Sequence, residues 1–317
     1  MGMLVDGTWR SDDGVFGDED GSFRRKDSAF RNWVTPDGTP GPTGDGGFRA
    51  EPGRYHLYVA RACPWAHRAT LLRAFKGLQD IVGLSVTHWL MADEGWTFAS
   101  GPGVVPDNVN GVQRLWELYV RADAGYTGKV TVPVLWDTAR DTIVSNESAD
   151  ILRMFNSAFD GVGAGGPDLS PPALRERIDA VNARVYEGLN NGVYKAGFAT
   201  TQAAYDDAVA GVFDTLDWLE GELSQRAWLV GDAQTEADWR LWTTLLRFDA
   251  VYHGHFKCNL RRLVDYPALH AYALRLHALP GVAPTVDMDH IKRHYYQSHT
   301  AINPTGIVPA GPVPAFG

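Results

Sequence analysis

Hydrophobic and polar positions along the chain predict two regions of different architecture. In the first region, short runs rich in β-branched and aromatic residues alternate with helical patterns. Strands are predicted at 55–60, 81–88, 130–136 and 142–144, and helices at 64–75, 112–121 and 145–155. Ser145 or Asn146 is predicted to cap the last of these helices. The order, strand–helix–strand followed by strand–strand–helix, predicts an α/β domain with a right-handed crossover.

The second region is predicted to be helical. A buried stripe at spacings of three and four is formed by Leu174, Ile178, Val181, Val185 and Leu189. Further helices are predicted around 205–219, 239–246, 269–279 and 286–296, with a capping box from Thr235 to Asp238. We therefore expect an extended arm (1–50), an α/β domain (51–160), a Gly- and Pro-rich linker (161–172), a helical domain (173–300) and an extended tail (301–317). Arg24-Arg25-Lys26 in the arm is interpreted as a solvated turn.

Length, charge and cysteine content limit the possible functions. A chain of 317 residues, 44% hydrophobic and 21% charged, is expected to fold into two domains. The formal net charge of −9 argues against nucleic acid or an anionic membrane surface as a partner. We find no apolar run long enough to span a membrane and no signal-peptide pattern at the N-terminus. Only two cysteines, Cys63 and Cys258, are present, which favours a reduced, cytoplasmic location.

Cys63 stands where the first predicted strand gives way to the first predicted helix. Unpaired backbone N–H groups and the positive end of the helix dipole favour a thiolate there, and such cysteines have a pKa of roughly 3.5–7.5 instead of ~8.5. Pro64 suits the first helical position, because it lacks an N–H and its φ is already helical. Ala66 stands where a Cys-x-x-Cys pair would have its second cysteine. The disulfide partner of Cys63 must therefore come from another molecule.

Together these motifs resemble the glutathione transferases. The shared pattern is a cysteine at the first helix, Val-Pro at the third strand, Glu-Ser at the next helix and an all-helical second half. Within that family the chain looks like the xi class, the glutathionyl-hydroquinone reductases. The motifs that carry this likeness are Cys63-Pro64-Trp65-Ala66, Trp96 in a long insertion (91–129), the run 194–199, the run 294–299 and Ile302-Asn303-Pro304.

The resemblance implies a thioredoxin-like α/β N-terminal domain, an all-α C-terminal domain and a homodimer. It also implies glutathione as co-substrate and glutathionylated aromatic quinols as partners. The Cys63 thiolate would attack the glutathione sulfur, release the hydroquinone and form a mixed disulfide that a second glutathione reduces. The sequence has no zinc-type cluster, Gly-x-Gly-x-x-Gly or phosphate loop, so neither a metal nor a nucleotide is expected.

The resemblance assigns glutathione-binding roles to several residues, each of which has a structural alternative. The Val132 backbone would pair with the cysteinyl part of glutathione beside a cis Pro133, whereas an isolated X–Pro bond is usually trans. Glu147 and Ser148 would bind the γ-glutamyl group, and they could equally cap a helix.

Trp96 would contact glutathione or be a loop residue packed for burial. Lys129 would bind the glycyl carboxylate, with a point charge in place of the arginine fork that the family often has. Tyr194, Tyr252 and Tyr296 match tyrosines around the electrophile pocket, where a phenol can donate to a ring oxygen. Core packing is the alternative for each of them.

Two other functions stay open at this point. One is an omega-like cysteine transferase that reduces mixed disulfides or dehydroascorbate, and the other is a non-catalytic glutathione-binding protein. His67 and Arg68 are interpreted as structural neighbours of Cys63, and Cys258 as a passive thiol.

Overall fold

A computed structural model describes residues 2–11, 18–312 and 316 of the chain. These residues divide into two units. The first unit contains 2–11, 27–167 and 289–298, and the second contains 18–26, 168–288, 299–312 and 316. The predicted arm and tail also include residues 1, 12–17, 313–315 and 317, which lie outside the described residues.

The N-terminal arm contains short strands that the sequence did not predict. β1 (Met3–Val5) and β2 (Thr8–Arg10) form an antiparallel hairpin with an Asp-Gly turn. Both turn residues have positive φ, which is the backbone of a type I′ turn. β3 (Trp33–Thr35) pairs in parallel with β4 (Gly47–Arg49).

A four-stranded mixed sheet lies at the centre of the first unit. Its strands are β5 (Tyr55–Val59), β6 (Val82–Val86), β7 (Val134–Asp137) and β8 (Thr142–Ser145), in the spatial order β6–β5–β7–β8. β6 is parallel to β5, whereas β7 is antiparallel to β5 and β8 is antiparallel to β7. Every residue of β5 and of β7 is buried, as expected for central strands covered on both faces. The predicted thioredoxin-like half is confirmed.

Helices cover this sheet and extend into the insertion. α1 (Pro64–Phe75) connects β5 to β6, α2 (Trp116–Ala122) lies in the insertion, and α3 (Ser148–Ser157) follows β8 and packs against α1. Two elements begin four residues later than predicted. α2 begins at Trp116 and not at 112, and β7 begins at Val134 and not at 130, because Pro133 has no N–H to donate to the ladder.

The second unit is built from helices. They are α4 (Arg175–Val185), α5 (Gly192–Phe198), α6 (Gln202–Leu223), α7 (Glu236–Arg247) and α8 (Pro267–His277). The predicted apolar stripe continues beyond α4 through a π-type turn, Tyr186–Asn190. The predicted capping box is confirmed, because Asp238 accepts from the N–H of the cap residue Thr235 at 2.7 Å. The all-α half of the predicted fold is confirmed as well.

Two segments join a unit distant from them in sequence. α9 (Met288–Ser298) contributes residues 289–298 to the first unit, whereas residues 18–26 of the arm belong to the second. In the second unit, the Gly21 carbonyl accepts from the Thr200 N–H at 3.0 Å. Throughout the described ranges, no helix combines the length and the apolar character needed to cross a membrane.

Candidate active site

Cys63 is the cap residue of α1. Its backbone is extended, with φ −76° and ψ 122°, and Pro64 occupies the start of the helix as predicted. The Cys63 sulfur accepts from the Ala66 N–H at 3.5 Å and lies 3.6 Å from the Val132 carbonyl oxygen. The N–H contact stabilises a thiolate, whereas the carbonyl contact is one that a thiol makes as donor. The side chain is half-buried, so a small reagent can reach the sulfur.

The loop before β7 places Val132 next to this sulfur. The Val132–Pro133 peptide bond is cis, as the resemblance implies. Tyr119 fixes the preceding residue: its hydroxyl donates to the Thr131 carbonyl at 2.8 Å and accepts from the Thr131 N–H at 3.2 Å. Val132 therefore lies outside the strand ladder, in a loop that a buried tyrosine holds in place.

Glu147 and Ser148 stand at the start of α3. Glu147 is the cap residue, and its Oε1 accepts from the Ala149 N–H at 3.0 Å. Its other oxygen, Oε2, accepts from the Ser28 hydroxyl at 3.0 Å. Ser148 is buried, and the Arg68 guanidinium donates to its hydroxyl at 3.3 Å. The capping role is thus present, and it leaves a carboxylate and a hydroxyl side by side at a helix N-terminus.

The predicted cap residues of this helix, Ser145 and Asn146, are wrong. The Ser145 hydroxyl accepts from the N–H of Glu147, which precedes the first helical residue. The Asn146 side chain is used elsewhere: its carbonyl accepts from the Phe30 N–H at 3.1 Å, and its amide donates to the Tyr119 hydroxyl at 3.1 Å. Because Phe30 is 116 residues away in the chain, no local pattern indicates this use.

Trp96 and Lys129 both lie in the insertion. Trp96 is 7% exposed and stacks on His294 of α9, with ring centroids 4.7 Å apart and planes at 24°. Trp96 is therefore packed inside the protein on at least one face of its ring. Its contact with glutathione stays a prediction. Lys129 has an exposed side chain, and partial desolvation lowers its pKa from the usual value. Its contact with the glycyl carboxylate stays a prediction too.

The three predicted tyrosines are divided between the units. In the second unit, the rings of Tyr194 and Tyr252 have centroids 6.0 Å apart, and both pack against Phe256, at 5.4 and 5.6 Å. Tyr194 is 8% exposed and Tyr252 is fully buried. Tyr296 is half-buried and belongs to the first unit, on α9. The structure thus places Tyr194 and Tyr252 in one aromatic cluster, and the roles of all three toward a substrate stay predictions.

The interpretation of Arg24-Arg25-Lys26 as a solvated turn is wrong for Arg25, whereas Arg24 and Lys26 are exposed. The Arg25 Nε donates to the Asn191 Oδ1 at 3.0 Å, and the guanidinium lies 4.9 Å from the centre of the Tyr194 ring. Asn191 is only 4% exposed, so this bond satisfies the amide oxygen of a buried side chain. Sequence reasoning missed Arg25, and likewise Ser28 and His294, because each contact joins distant parts of the chain.

His67, Arg68 and Cys258 are buried, as expected for the structural roles predicted for them. His67 and Arg68 are 3% and 1% exposed, and the Arg68 guanidinium lies 4.5 Å from the centre of the Trp65 ring. Burial raises the pKa of the Cys258 thiol to about 12, so this thiol is protonated at neutral pH. Among the residues that the structure describes, no group of three or more His, Cys, Asp or Glu side chains could hold a metal ion.

Family models of known proteins match both halves of the chain. Residues 62–158 match the glutathione S-transferase N-terminal domain, and residues 202–275 match the glutathione S-transferase C-terminal domain. The chain is 53% identical over 312 residues to the glutathionyl-hydroquinone reductase PcpF of Sphingobium chlorophenolicum, covering 98% of this chain and 96% of PcpF. It is 54% identical over 313 residues to the glutathionyl-hydroquinone reductase YqjG of Escherichia coli, covering 98% and 95%.

Solved structures agree with these relationships. The glutathione-bound structure of YqjG from Escherichia coli superposes with a TM-score of 0.91 at 52% identity, covering 98% of this chain and 96% of that one. The glutathione-S-transferase Xi from Phanerochaete chrysosporium gives a TM-score of 0.88 at 47% identity, covering 92% and 98%. The fold and the two matching domain models define a glutathione transferase, with a cysteine as the cap residue of α1. The chain belongs to the xi class, the family of the glutathionyl-hydroquinone reductases.

Proposed function

We propose that this protein is an enzyme that removes glutathione from glutathionyl-hydroquinones and uses a second glutathione as reductant. The observation that carries the proposal is the position of Cys63, whose half-buried sulfur accepts a backbone N–H at the start of α1, beside the Val132 loop. The substrate class is supported by the 53% and 54% identity to the reductases PcpF and YqjG.

Glutathione binds to the first unit through its peptide portion. Its cysteinyl part pairs with the Val132 backbone, its ammonium group with the Glu147 carboxylate, and its γ-glutamyl carboxylate with Ser148 and the N–H groups that begin α3. The loop of Val132 beside Cys63 and the carboxylate at the helix start support these contacts. Trp96 contacts the ligand and Lys129 binds the glycyl carboxylate, two roles that the family resemblance supports.

The reaction consists of two exchanges at sulfur. The Cys63 thiolate attacks the glutathionyl sulfur, a sulfur–sulfur bond forms, and the carbon–sulfur bond breaks with its electron pair passing to the ring, which takes up one proton. Hydroquinone leaves, and Cys63 remains as a mixed disulfide with glutathione. A second glutathione thiolate attacks this disulfide and restores the Cys63 thiolate. The sum is one conjugate plus one glutathione, giving hydroquinone and glutathione disulfide.

The phenols of Tyr194, Tyr252 and Tyr296 donate hydrogen bonds to the ring oxygens and help to deliver the proton that the ring takes up. The family resemblance supports this assignment. It also supports a homodimer and, together with the cysteine content, a cytoplasmic location. We also propose that the glutathione-binding α/β domain spans 51–160 and that the helical domain spans 173–300.

A single turnover with a glutathionyl-hydroquinone tests the route. Quenched samples analysed by intact mass should show a transient adduct of one glutathione, which peptide mapping assigns to Cys63. Cys63→Ser should form no adduct and release no hydroquinone, whereas Cys258→Ala, the matched control at the other cysteine, should do both. Hydroquinone release without an adduct would refute the two-exchange route. Reduction of small mixed disulfides with the aryl thioether left intact would favour an omega-like transferase instead.

A further inference from the structure

We infer that His294 is a positioning residue of the glutathione site, which sets the orientation of the Trp96 ring. The inference rests on the proposed function, in which Trp96 contacts glutathione. Both residues belong to the first unit, although one lies in the insertion and the other on α9. His294 stacks on Trp96, so the inference places its effect on glutathione in the orientation of the indole.

The two rings form a stack within the protein. Their centroids lie 4.7 Å apart with planes at 24°, and Trp96 and His294 are only 7% and 6% exposed. A stack at this distance opposes rotation of the indole, because the aromatic contact would be lost. One face of Trp96 is covered by the imidazole. The direction of the opposite face therefore follows from the position of His294.

His294 is fixed by the backbone that leads into the insertion. Its Nδ1 lies 2.9 Å from the Trp89 carbonyl oxygen, so this nitrogen carries the proton and donates it. Ser298, one turn further along α9, accepts from the Met91 N–H at 3.0 Å, and its hydroxyl lies 3.3 Å from the same Nδ1. The plane of the imidazole is thus set by groups other than Trp96.

α9 makes a further backbone bond, to Pro102 within the insertion. His290, one turn before His294, donates from Nε2 to the Pro102 carbonyl at 2.7 Å, and its ring packs on Trp89 at 5.2 Å. His290 therefore offers a matched control, because it is the same residue type on the same helix and makes the same kind of backbone bond.

Two substitutions separate the stack from the hydrogen bond. His294→Phe keeps a ring against Trp96 and loses the donor to Trp89, whereas His294→Asn keeps a donor near Nδ1 and loses the ring. If the stack orients Trp96, His294→Asn should weaken glutathione binding about 3- to 10-fold and His294→Phe by less than about 2-fold. His294→Phe should still lower the melting temperature, since the part-buried Trp89 carbonyl loses its donor.

Isothermal titration with glutathione, together with KM and kcat, measures these effects. The loss should appear in KM for glutathione and not in kcat, and His290→Gln, which keeps a donor near Nε2, should bind like the wild type. In a double-mutant cycle, His294→Asn should cause no further loss of affinity in a Trp96→Leu background.

Unchanged affinity of His294→Asn, or a loss that persists in the Trp96→Leu background, would overturn the inference. Unchanged affinity of Trp96→Leu itself would overturn both the inference and the role of Trp96 in the proposed function. The adduct on Cys63, measured separately, reports on the proposed reaction, so the two failures are distinguishable.

Discussion

The Ser28 hydroxyl donates to Oε2 of Glu147 at 3.0 Å, while Oε1 of the same carboxylate caps α3 through the Ala149 N–H at 3.0 Å. Both oxygens are therefore held in place by the protein, and the donor to Oε2 comes from the arm, 119 residues earlier in the chain. A carboxylate fixed in this way needs little reorganisation to accept an ammonium group. The arm thus contributes to the site proposed for glutathione.

Replacing Glu147 tests whether its charge serves glutathione. Glu147→Gln keeps a carbonyl oxygen that can cap α3, and it removes the charge offered to the ammonium group. We expect glutathione to bind about 10- to 100-fold more weakly, since a charge-assisted hydrogen bond is lost, with the melting temperature little changed. Isothermal titration and thermal unfolding measure the two effects.

Glu176→Gln is the matched control for this prediction, because it makes the same change in the first turn of α4. Its affinity for glutathione should equal that of the wild type. Ser28→Ala should weaken binding less than Glu147→Gln does, because only one carboxylate oxygen is loosened. A Glu147→Gln protein with lowered stability and intact affinity would show that Glu147 serves only as a cap.

The parts of the site that the sequence predicts are those that depend on neighbouring residues. The cap position of Cys63 follows from a local strand–helix junction, with Pro64 at the start of the helix. The cap of α3 does not follow in this way, because Asn146 is bonded to Phe30 of the arm and Glu147 takes its place. The cis form of Val132–Pro133 came from the family resemblance alone, since isolated X–Pro bonds are usually trans.

Contacts between distant segments are the parts that could not be predicted. Nothing in the local pattern around His294 indicates that its ring stacks on Trp96. Arg25 stands in a polar, glycine-rich arm, so composition favours an exposed side chain. Its bond to the buried Asn191 depends on the course of the arm in the folded chain.

The two cysteines should differ in their reactivity toward iodoacetamide. Cys63 is half-buried and accepts a backbone N–H, whereas Cys258 is fully buried, with its pKa raised to about 12. At pH 7 we expect one label per folded chain, on Cys63, and labelling of Cys258 only after denaturation. Peptide mapping over a series of pH values measures both reactions.

Cys63→Ser is the control for this labelling. It should take up no label when folded, and it should melt like the wild type, because a serine hydroxyl can accept the Ala66 N–H at the same cap position. Modification of Cys63 that begins only near the ordinary thiol pKa of about 8.5 would argue against activation by the helix start.

Arg25 and Arg24 should differ in their contribution to stability, although they are neighbours of the same charge. Arg25 bonds the buried Asn191 and lies over the Tyr194 ring, whereas the Arg24 side chain is 72% exposed and pairs with Asp18. We expect Arg25→Ala to lower the free energy of unfolding by about 1–2 kcal/mol, because the hydrogen bond to the buried Asn191 amide and the cation–π contact with Tyr194 are lost. Arg24→Ala should leave it unchanged. Equal effects in urea unfolding would contradict the assignment.

His56 of β5 is predicted to make the first unit sensitive to mild acid. It is 8% exposed, and its Nε2 lies 2.8 Å from the Ser85 hydroxyl. Its ring lies directly against Gly83, where an added Cβ atom would come within 2.3 Å of Nδ1. This burial lowers the pKa of His56 from 6.5 to about 4. The neutral imidazole is therefore the form that the fold accommodates.

Below pH 6.5 the unfolded chain takes up a proton at His56, whereas the folded chain does so only near pH 4. The contribution of the neutral His56 to the free energy of unfolding is fully present well above pH 6.5. As the pH falls from 7.5 to 5, protonation of the unfolded chain lowers the free energy of unfolding by about 2 kcal/mol. His56→Gln keeps a donor near Nε2 and cannot titrate. Its free energy of unfolding, measured with urea, should therefore fall by about 2 kcal/mol less than that of the wild type between pH 7.5 and pH 5. Ser85→Ala removes the partner and keeps the imidazole, so it should retain the full pH dependence. The same pH dependence in His56→Gln and wild type would assign the acid sensitivity to other groups.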